Sequence, residues 1–284
     1  MDFIVKDLDN NYRLDAFRNK ADKIIMVGDH KQLPPVLDTD IINKNKDVLD
    51  IQTLSMGMFE RLYEIFPEEN KHRLTVQYRM HPIIGTLISK VFYDNDIQNG
   101  VEREKRLTGI PEYSDIAIEW LSTSTRPSKE KFEKRQGVEP RQTYRNDLEV
   151  MIIKEKLAYL DRSLNKTAKV AVITAYSAQK YALANMIKQQ RYQNLHIEVD
   201  TVDAFQGSQK EIIIYSTVRS SENPYKIGFL KSEARLNVAF SRAQSLLIIV
   251  GDHKFLNNSK ISQNKFPEII NYIMENDSCR ILEI

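Results

Sequence analysis

Four short segments hold the side chains with the most chemistry to offer. Gly28-Asp-His-Lys-Gln-Leu-Pro-Pro35 places a neutral amide, Gln32, in a proline-stiffened loop behind an apolar run. Gln77-Tyr-Arg-Met-His-Pro82 sets Arg79 beside an aromatic ring, Tyr78. Val202-Asp-Ala-Phe-Gln-Gly207 ends in a glycine, and Leu236-Asn-Val-Ala-Phe-Ser-Arg242 ends in a second arginine. A rigid guanidinium fork matches the oxygens of a phosphate. An amide can bond a phosphate and a water at once. A glycine lets backbone approach a phosphate or a sugar closely. These residue types suit the handling of phosphate esters.

The glycines limit how that chemistry is done. The chain has 284 residues and nine glycines, and the closest pair, Gly100 and Gly109, is nine apart. A phosphate-binding loop needs two glycines five apart, followed by Lys and Ser or Thr, and a dinucleotide fingerprint needs three within six residues. Neither occurs, so nucleotide chemistry here lacks a phosphate cradle within this sequence. The remaining composition is ordinary. A hydrophobic fraction of 42% and a charged fraction of 28% are those of a soluble globular chain. A net charge of +2 neither advertises nor excludes a polyanion partner. One cysteine, Cys279, excludes an internal disulfide framework and fits a reducing cytoplasm. No apolar run approaches the roughly 18 residues of a membrane span, and Met1-Asp2-Phe3-Ile4 does not read as a signal peptide. The expectation is a cytoplasmic chain without membrane contact.

Apolar runs alternate with helical periodicity, which argues α/β architecture. Lys23–Val27 reads as a strand ending at Gly28-Asp29. Leu54, Met58, Leu62 and Ile65 repeat at helical spacing, Pro67 ends that helix, and residues 68–71 form a polar hinge. Pro82 opens another helix. Ile116–Leu121 alternates as a strand. Residues 124–145 read as a mobile surface insertion, and the run Lys129–Arg135, interleaved with Glu130 and Glu133, as a solvated face. Asn146 and Glu149 form a capping-box-like start to a helix that buries Val150, Ile153, Leu157 and Leu160. Strands are expected at 170–174, 196–199, 211–217 and 246–250, with a helix through Leu183, Met186 and Ile187 after the first of them. The nearly continuous Ile, Val and Leu of 211–217 and 246–250 suit a parallel sheet covered on both faces. Val27-Gly-Asp-His-Lys31 recurs as Val250-Gly-Asp-His-Lys254, a turn used twice or the ends of two related sheets.

In this order and spacing the four segments resemble motifs III, IV, V and VI of superfamily 1 helicases, in the up-frameshift and Dna-two/Nam-seven-like branch. The resemblance covers about residues 20 to 255. It implies a RecA-like parallel sheet flanked by helices as the second helicase domain, residues 71–284, behind a partial first RecA-like domain, residues 1–70. It implies ATP hydrolysis that drives movement along single-stranded DNA or RNA. Gln32 would be the γ-phosphate sensor, with Gly28 and Asp29 in its loop. Arg79 and Arg242 would be arginine fingers, and Tyr78 the aromatic stacked on adenine. Gly207 and Gln209 would approach the ribose and phosphates, with Gln209 where the family carries Glu. Thr174, Tyr176, Thr201 and Asp203 fall where the family touches the strand or supports that contact.

The resemblance also shows what the sequence lacks. The family carries Asp-Glu-Ala after a strand upstream of Gly28. Here Asp7 stands near the place of the Mg²⁺-holding acid, and Leu8 stands where the water-activating Glu belongs. A hydrocarbon cannot accept a proton. The expected function is therefore the C-terminal part of an ATP-dependent helicase. ATP and Mg²⁺ would bind only with motifs supplied by an N-terminal helicase half or other completing chain, and the chain alone would be inactive. The alternative is a catalytically inactive module that binds nucleic acid or a protein partner, with an unrelated α/β protein as a third reading.

Overall fold

The structure, a computed structural model, describes residues 25–33, 58–138 and 142–284. The chain divides into two compact units, Met1–Arg73 and Leu74–Ile284. In the first unit, helix α1 spans Met58–Ile65. The Phe66 N–H still bonds the Leu62 carbonyl, 2.9 Å away, and Pro67 stops the helix. The expected polar hinge is a single 3₁₀ turn, Glu68–Asn70. The expected strand over 23–27 is not found at its described positions. Residues 25–27 pair with no described residue, and Ile25 and Val27 are exposed; an apolar run without a ladder partner has nothing to make it a strand. Asp7, Leu8, Lys23 and Ile24 lie outside the described residues.

The second unit is built on a parallel sheet. Its elements run β1 (Val76–Gln77), α2 (Pro82–Phe92), β2 (Gln98–Asn99), β3 (Ile118–Ser122), α3 (Ser128–Lys131), β4 (Lys134–Gln136), β5 (Thr143–Arg145), α4 (Asp147–Ser163), β6 (Ala168–Thr174) and α5 (Ser177–Lys188). They continue β7 (Leu195–Thr201), β8 (Lys210–Ser216), α6 (Glu233–Phe240), β9 (Ala243–Gly251), α7 (His253–Leu256), α8 (Phe266–Met274) and β10 (Cys279–Glu283). The main sheet has the order β10-β3-β9-β8-β6-β7, with every neighbouring pair parallel.

Burial on both faces explains the apolar runs. Val170, Val172, Ile212, Ile214, Leu246 and Ile248 join the Ile153, Leu157 and Leu160 side chains of α4 in one core. Side chains alternate along a strand, so Ala171, Ile173, Ile213, Tyr215, Leu247 and Ile249 face the other way and are equally buried. There Tyr215 meets Phe240 of α6 edge-on at 5.3 Å, and Trp120 meets Phe266 of α8 at 5.9 Å. The expected alternating strand at 116–121 is instead β3, buried throughout. Its Glu119 is paired there with Lys156 and Arg280.

The insertion at 124–145 is also different from its sequence reading. It carries helix α3 and the antiparallel pair β4/β5, and two of its charges point inward. Lys131 bonds the buried Asp252 at 2.8 Å, and Glu133 bonds the buried Arg219 at 3.0 Å. Breaking a buried pair of this kind costs about 3–5 kcal/mol, because it strands the partner charge. A run of charges reads as solvated only when none has a buried counter-ion, and these counter-ions lie about 86 and 121 positions downstream, far beyond local pattern.

The capping box is half formed. Asn146 caps α4 by accepting from the Glu149 N–H at 3.2 Å, but the Asn146 N–H goes to Gln179 at 2.8 Å. The Glu149 carboxyl reaches the far end of β8 instead. It accepts from the Val218 N–H at 2.9 Å and from the Ser216 and Thr217 hydroxyls. Val218 has φ of +69°, a conformation a β-branched residue rarely adopts without support. Burial pushes the Glu149 carboxyl up to about 8, against its hydrogen bonds from Ser216, Val218 and Thr217.

Glu149 therefore holds its proton more tightly folded than unfolded, where the ordinary value is 4.5. The folded state carries the extra proton between those values, so stability falls as pH rises from about 4.5 to 8. The slope from this group is on the order of 1 kcal/mol per pH unit. Glu149→Gln keeps an acceptor for Val218 and should flatten the trend of urea midpoints taken at pH 5.5, 6.5 and 7.5. An unchanged slope would clear Glu149 as its source.

Candidate functional site

The predicted site residues of the second unit gather at two opposite edges of the sheet. The first cluster lies where β8 and β9 begin. Its loop, residues 77–82, is built around a side chain to which no role was attached from sequence. The Gln77 Oε1 accepts from the Arg79 and Met80 N–H groups at 2.9 and 2.7 Å, and its Nε2 donates to the Met80 carbonyl and to Asn99. Arg106 braces the same loop from outside, donating to the Arg79 and Tyr78 carbonyls at 2.7 and 2.8 Å. His81 is buried, and burial, aided by Arg103, pushes it down to about 4. The neutral ring accepts from the Ile83 N–H as the cap of α2.

This loop aims two side chains. Tyr78 is 66% exposed. Arg79 is half-buried and donates to the Gln209 side chain at 2.9 Å and to the Ser241 carbonyl at 3.2 Å. No carboxylate pairs with it among the described residues, and burial lowers its pKa. Gly207, with φ of +86°, occupies the left-handed region that only glycine enters cheaply, and so delivers Gln209 to Arg79. Arg242 packs against the end of this cluster's Gly207–Gln209 segment. It is buried and donates to the carbonyls of Val238 at 2.9 Å and Ser208 at 3.3 Å. The structure thus brings together Tyr78, Arg79, Gly207, Gln209 and Arg242.

The second cluster lies where β6 and β7 end. Thr174 and Thr201 are ladder partners at those ends. A groove of about 310 Å³ runs there, lined by Gln142, Thr143, Ser177, Thr201, Asp203 and Phe229, with Tyr176 in its wall. Thr174 and the ring of Tyr176 are buried, so both support the groove from behind. Asp203 pairs with Arg235 at 3.2 Å, a partly exposed pair worth about 0–1 kcal/mol. Thr143, from the insertion hairpin, accepts from the Ala178 N–H at the start of α5. Gln142, Thr143 and Phe229 carried no role in the sequence reading. The signal available for Phe229 was an aromatic set between Lys226 and Lys231.

In the first unit the Gly28–Leu33 segment is a turn organised by Asp29. Asp29 accepts from the Lys31 N–H at 3.0 Å and from the Gln32 side chain at 2.7 Å. Gly28 lies against the Phe59 ring of α1, and His30 stacks on Tyr63. The sister segment, 250–254, uses its Asp differently, as the cap of α7 accepting from Phe255.

Residues 54–254 match the family model described as an AAA domain. The chain belongs to this AAA-domain family. It is 35% identical over 244 residues to a regulator of nonsense transcripts 1 homolog of Neurospora crassa, covering 82% of this chain and 20% of that protein. It is 33% identical over 254 residues to the DNA polymerase alpha-associated DNA helicase A of Saccharomyces cerevisiae, covering 85% and 36%. An uncharacterized ATP-dependent helicase of Methanocaldococcus jannaschii is 33% identical over 248 residues, covering 85% and 34%. These relatives make it an up-frameshift-like superfamily 1 helicase region, as its four segments imply, and the sheet is RecA-like. The chain spans about a fifth to about a third of the length of these relatives. Among the described residues no group of three or more His, Cys, Asp and Glu side chains could hold a metal ion; Asp7 lies outside them. No described helix is long and apolar enough to cross a membrane.

Gln77 is expected to be the keystone of the first cluster. Gln77→Ala leaves the Arg79 and Met80 N–H groups without their acceptor, and a buried donor left unmet costs about 1–3 kcal/mol. Denaturant unfolding measures the loss. A variant as stable as the native chain would show that solvent satisfies these groups equally well.

Proposed function

We propose that residues 74–284 are the second RecA-like domain of an ATP-dependent nucleic-acid helicase or translocase. The observation that carries this reading is Arg79, a half-buried guanidinium with no carboxylate partner among the described residues. A buried cation without a counter-ion is costly, and a polyphosphate would provide the missing charge. In this reading Arg79 contacts the γ-phosphate and stabilises the charge that builds on its equatorial oxygens. Tyr78 offers the exposed ring on which adenine stacks. Gly207 and Gln209 approach the ribose and phosphates. Arg242 sits one layer back and fixes the Ser208 carbonyl, so that the loop is rigid before nucleotide arrives. Gln32, in its own unit, takes the sensor role that the family resemblance gives it. ATP supplies the phosphoryl chemistry, and its phosphate cradle comes from a segment outside this sequence. Single-stranded DNA or RNA lies in the groove at the ends of β6 and β7, contacted through backbone groups near Thr201 and Asp203 that read no sequence.

A second reading is a binding module that no longer hydrolyses. Leu8 at the place of the catalytic acid favours it. The two readings separate at Arg79, which only nucleotide contact requires to stay unpaired.

The 284-residue chain alone should show no strand-stimulated ATP hydrolysis above background, since it holds no phosphate loop. Turnover that Arg79→Ala abolishes would overturn that expectation. With the phosphate-loop motifs supplied by a completing N-terminal helicase half, a fluorescent ATP analogue should bind the complex carrying Arg79→Ala about 10-fold more weakly than the one carrying the native chain, a loss fitting a charge-assisted hydrogen bond. Equal affinities would remove Arg79 from the nucleotide site.

A further inference from the structure

We infer that Phe229 is the stacking platform for one base of a single nucleic-acid strand held in the groove between the insertion hairpin and the end of β7. The inference rests on the strand-binding reading above and adds to it the residue that grips the base. Phe229 is 54% exposed, and it lines a groove that it shares with the polar Gln142, Thr143, Ser177, Thr201 and Asp203 as well as with Ala175 and Tyr176. An aromatic ring left in water among hydroxyls and a carboxylate buries little of its own surface in the free protein.

The ring lines the groove and has a backing. Its backing is Tyr176, at 5.7 Å, which meets Tyr144 edge-on at 5.6 Å. The Arg219 guanidinium lies 4.1 Å over the Tyr144 ring and is pinned by the buried Glu133. This column of rings and cation runs from the interior to the surface and ends on Phe229. The backbone is shaped to it. Gly228 has φ of +59°, and a Cβ there would meet the Tyr176 hydroxyl at 2.7 Å and the Arg219 Nη1 at 2.8 Å. Only glycine lets the segment lie close enough for Phe229 to rest on Tyr176.

The surrounding charge suits a polyanion with a planar base. The Arg235 guanidinium lies 5.3 Å over the Phe229 ring and neutralises Asp203 beside it. The Gln142 Nε2 in the opposite wall makes no hydrogen bond among the described residues. An aliphatic side chain of a protein partner would set its apolar surface against the hydroxyls of Thr143 and Ser177. A nucleobase has a π-face for Phe229 and a polar edge for those groups, and stacking of this kind tolerates any base.

The test uses the 284-residue chain and fluorescein-labelled 12-mers of oligo(dT) and oligo(U), read by anisotropy. Phe229→Ala should weaken binding about 10-fold, within the range of one lost base stack, without changing the slope of log Kd against log salt, because no phosphate contact is lost. Phe229→Trp should bind like the native chain, and its indole emission should be quenched by the strand; the native tryptophan, Trp120, is buried. On a 12-mer of abasic sugar-phosphate, native and Phe229→Ala chains should bind alike. Native affinity of Phe229→Ala for the base-bearing strands would overturn the platform and leave strand binding standing. Equal losses on abasic and base-bearing strands would also overturn it, as the mark of a merely structural role. Failure of the native chain to bind any strand would overturn the strand reading itself and the platform with it.

Discussion

A parallel strand must be reached from the edge opposite to where the previous one ended, and between β7 and β8 only residues 202–209 do this. A crossover ordinarily takes a dozen residues or more and includes a helix. A seven-residue strand such as β7 is about 23 Å long, and the nine steps from Thr201 to Lys210 reach about 30 Å fully extended. The link therefore has little slack, even though it passes through a 3₁₀ turn at Asp203–Phe205. Both clusters hang on it. Asp203 stands at its start beside the groove, and Gly207 to Gln209 stand at its end beside Arg79. The positive φ of Gly207 is the turn that lets a taut segment enter β8 in register.

The two edges solve the problem of buried charge in opposite ways. At the groove edge each buried ion has its counter-ion: Glu133 with Arg219, and Asp252 with Lys131. Glu149, which has none, is kept near neutral by burial. That edge is complete in itself, and its polar network holds the hairpin, the end of β8 and the start of α5 as one piece. At the other edge Arg79 has amide and carbonyl partners only, so its charge is solvated and not compensated. The difference is one of charge balance: the groove edge pairs its buried ions within the unit, and the other edge meets its guanidinium with neutral groups among the described residues.

The parts legible in the sequence are those set by local pattern or by spacing. The strands expected at 170–174, 211–217 and 246–250 were visible because two buried faces leave a nearly continuous apolar run, and they run over 168–174, 210–216 and 243–251 in the structure. The start of α2 at Pro82 was visible because proline suits a first helical turn. The four segments gave Arg79, Gly207 and Arg242 together. What could not be read depends on partners distant in the chain. The Glu149 carboxyl passes its own cap to reach Val218, and Glu133 leaves a charged run to meet Arg219. Gln77 stood inside a quoted segment, but its role lies in backbone bonds that no residue type announces. The Ser208 and Val238 carbonyls that accept from Arg242 are likewise backbone groups without a signal in the sequence. At 25–27, the described part of the run expected as a strand, the converse holds: apolar residues in a row have no ladder partner among the described residues.

Helix α6 turns the short link into a mechanical part. Near one end its Arg235 holds Asp203, where the link begins. Just past the other end Arg242 holds the Ser208 carbonyl, where the link is about to finish. Between them Phe205 is buried in the unit. A segment with little slack that touches one eight-residue helix near both ends has Arg242 and the buried Phe205 as its firm attachments, and the Asp203–Arg235 pair as a weak one. α6 is itself packed on β8 and β9 through Phe240 and Tyr215. The edge that carries Arg79 and the edge that carries the groove are therefore joined by one segment of eight residues packed along α6, and it is the shortness of that segment that keeps both ends close to the same helix.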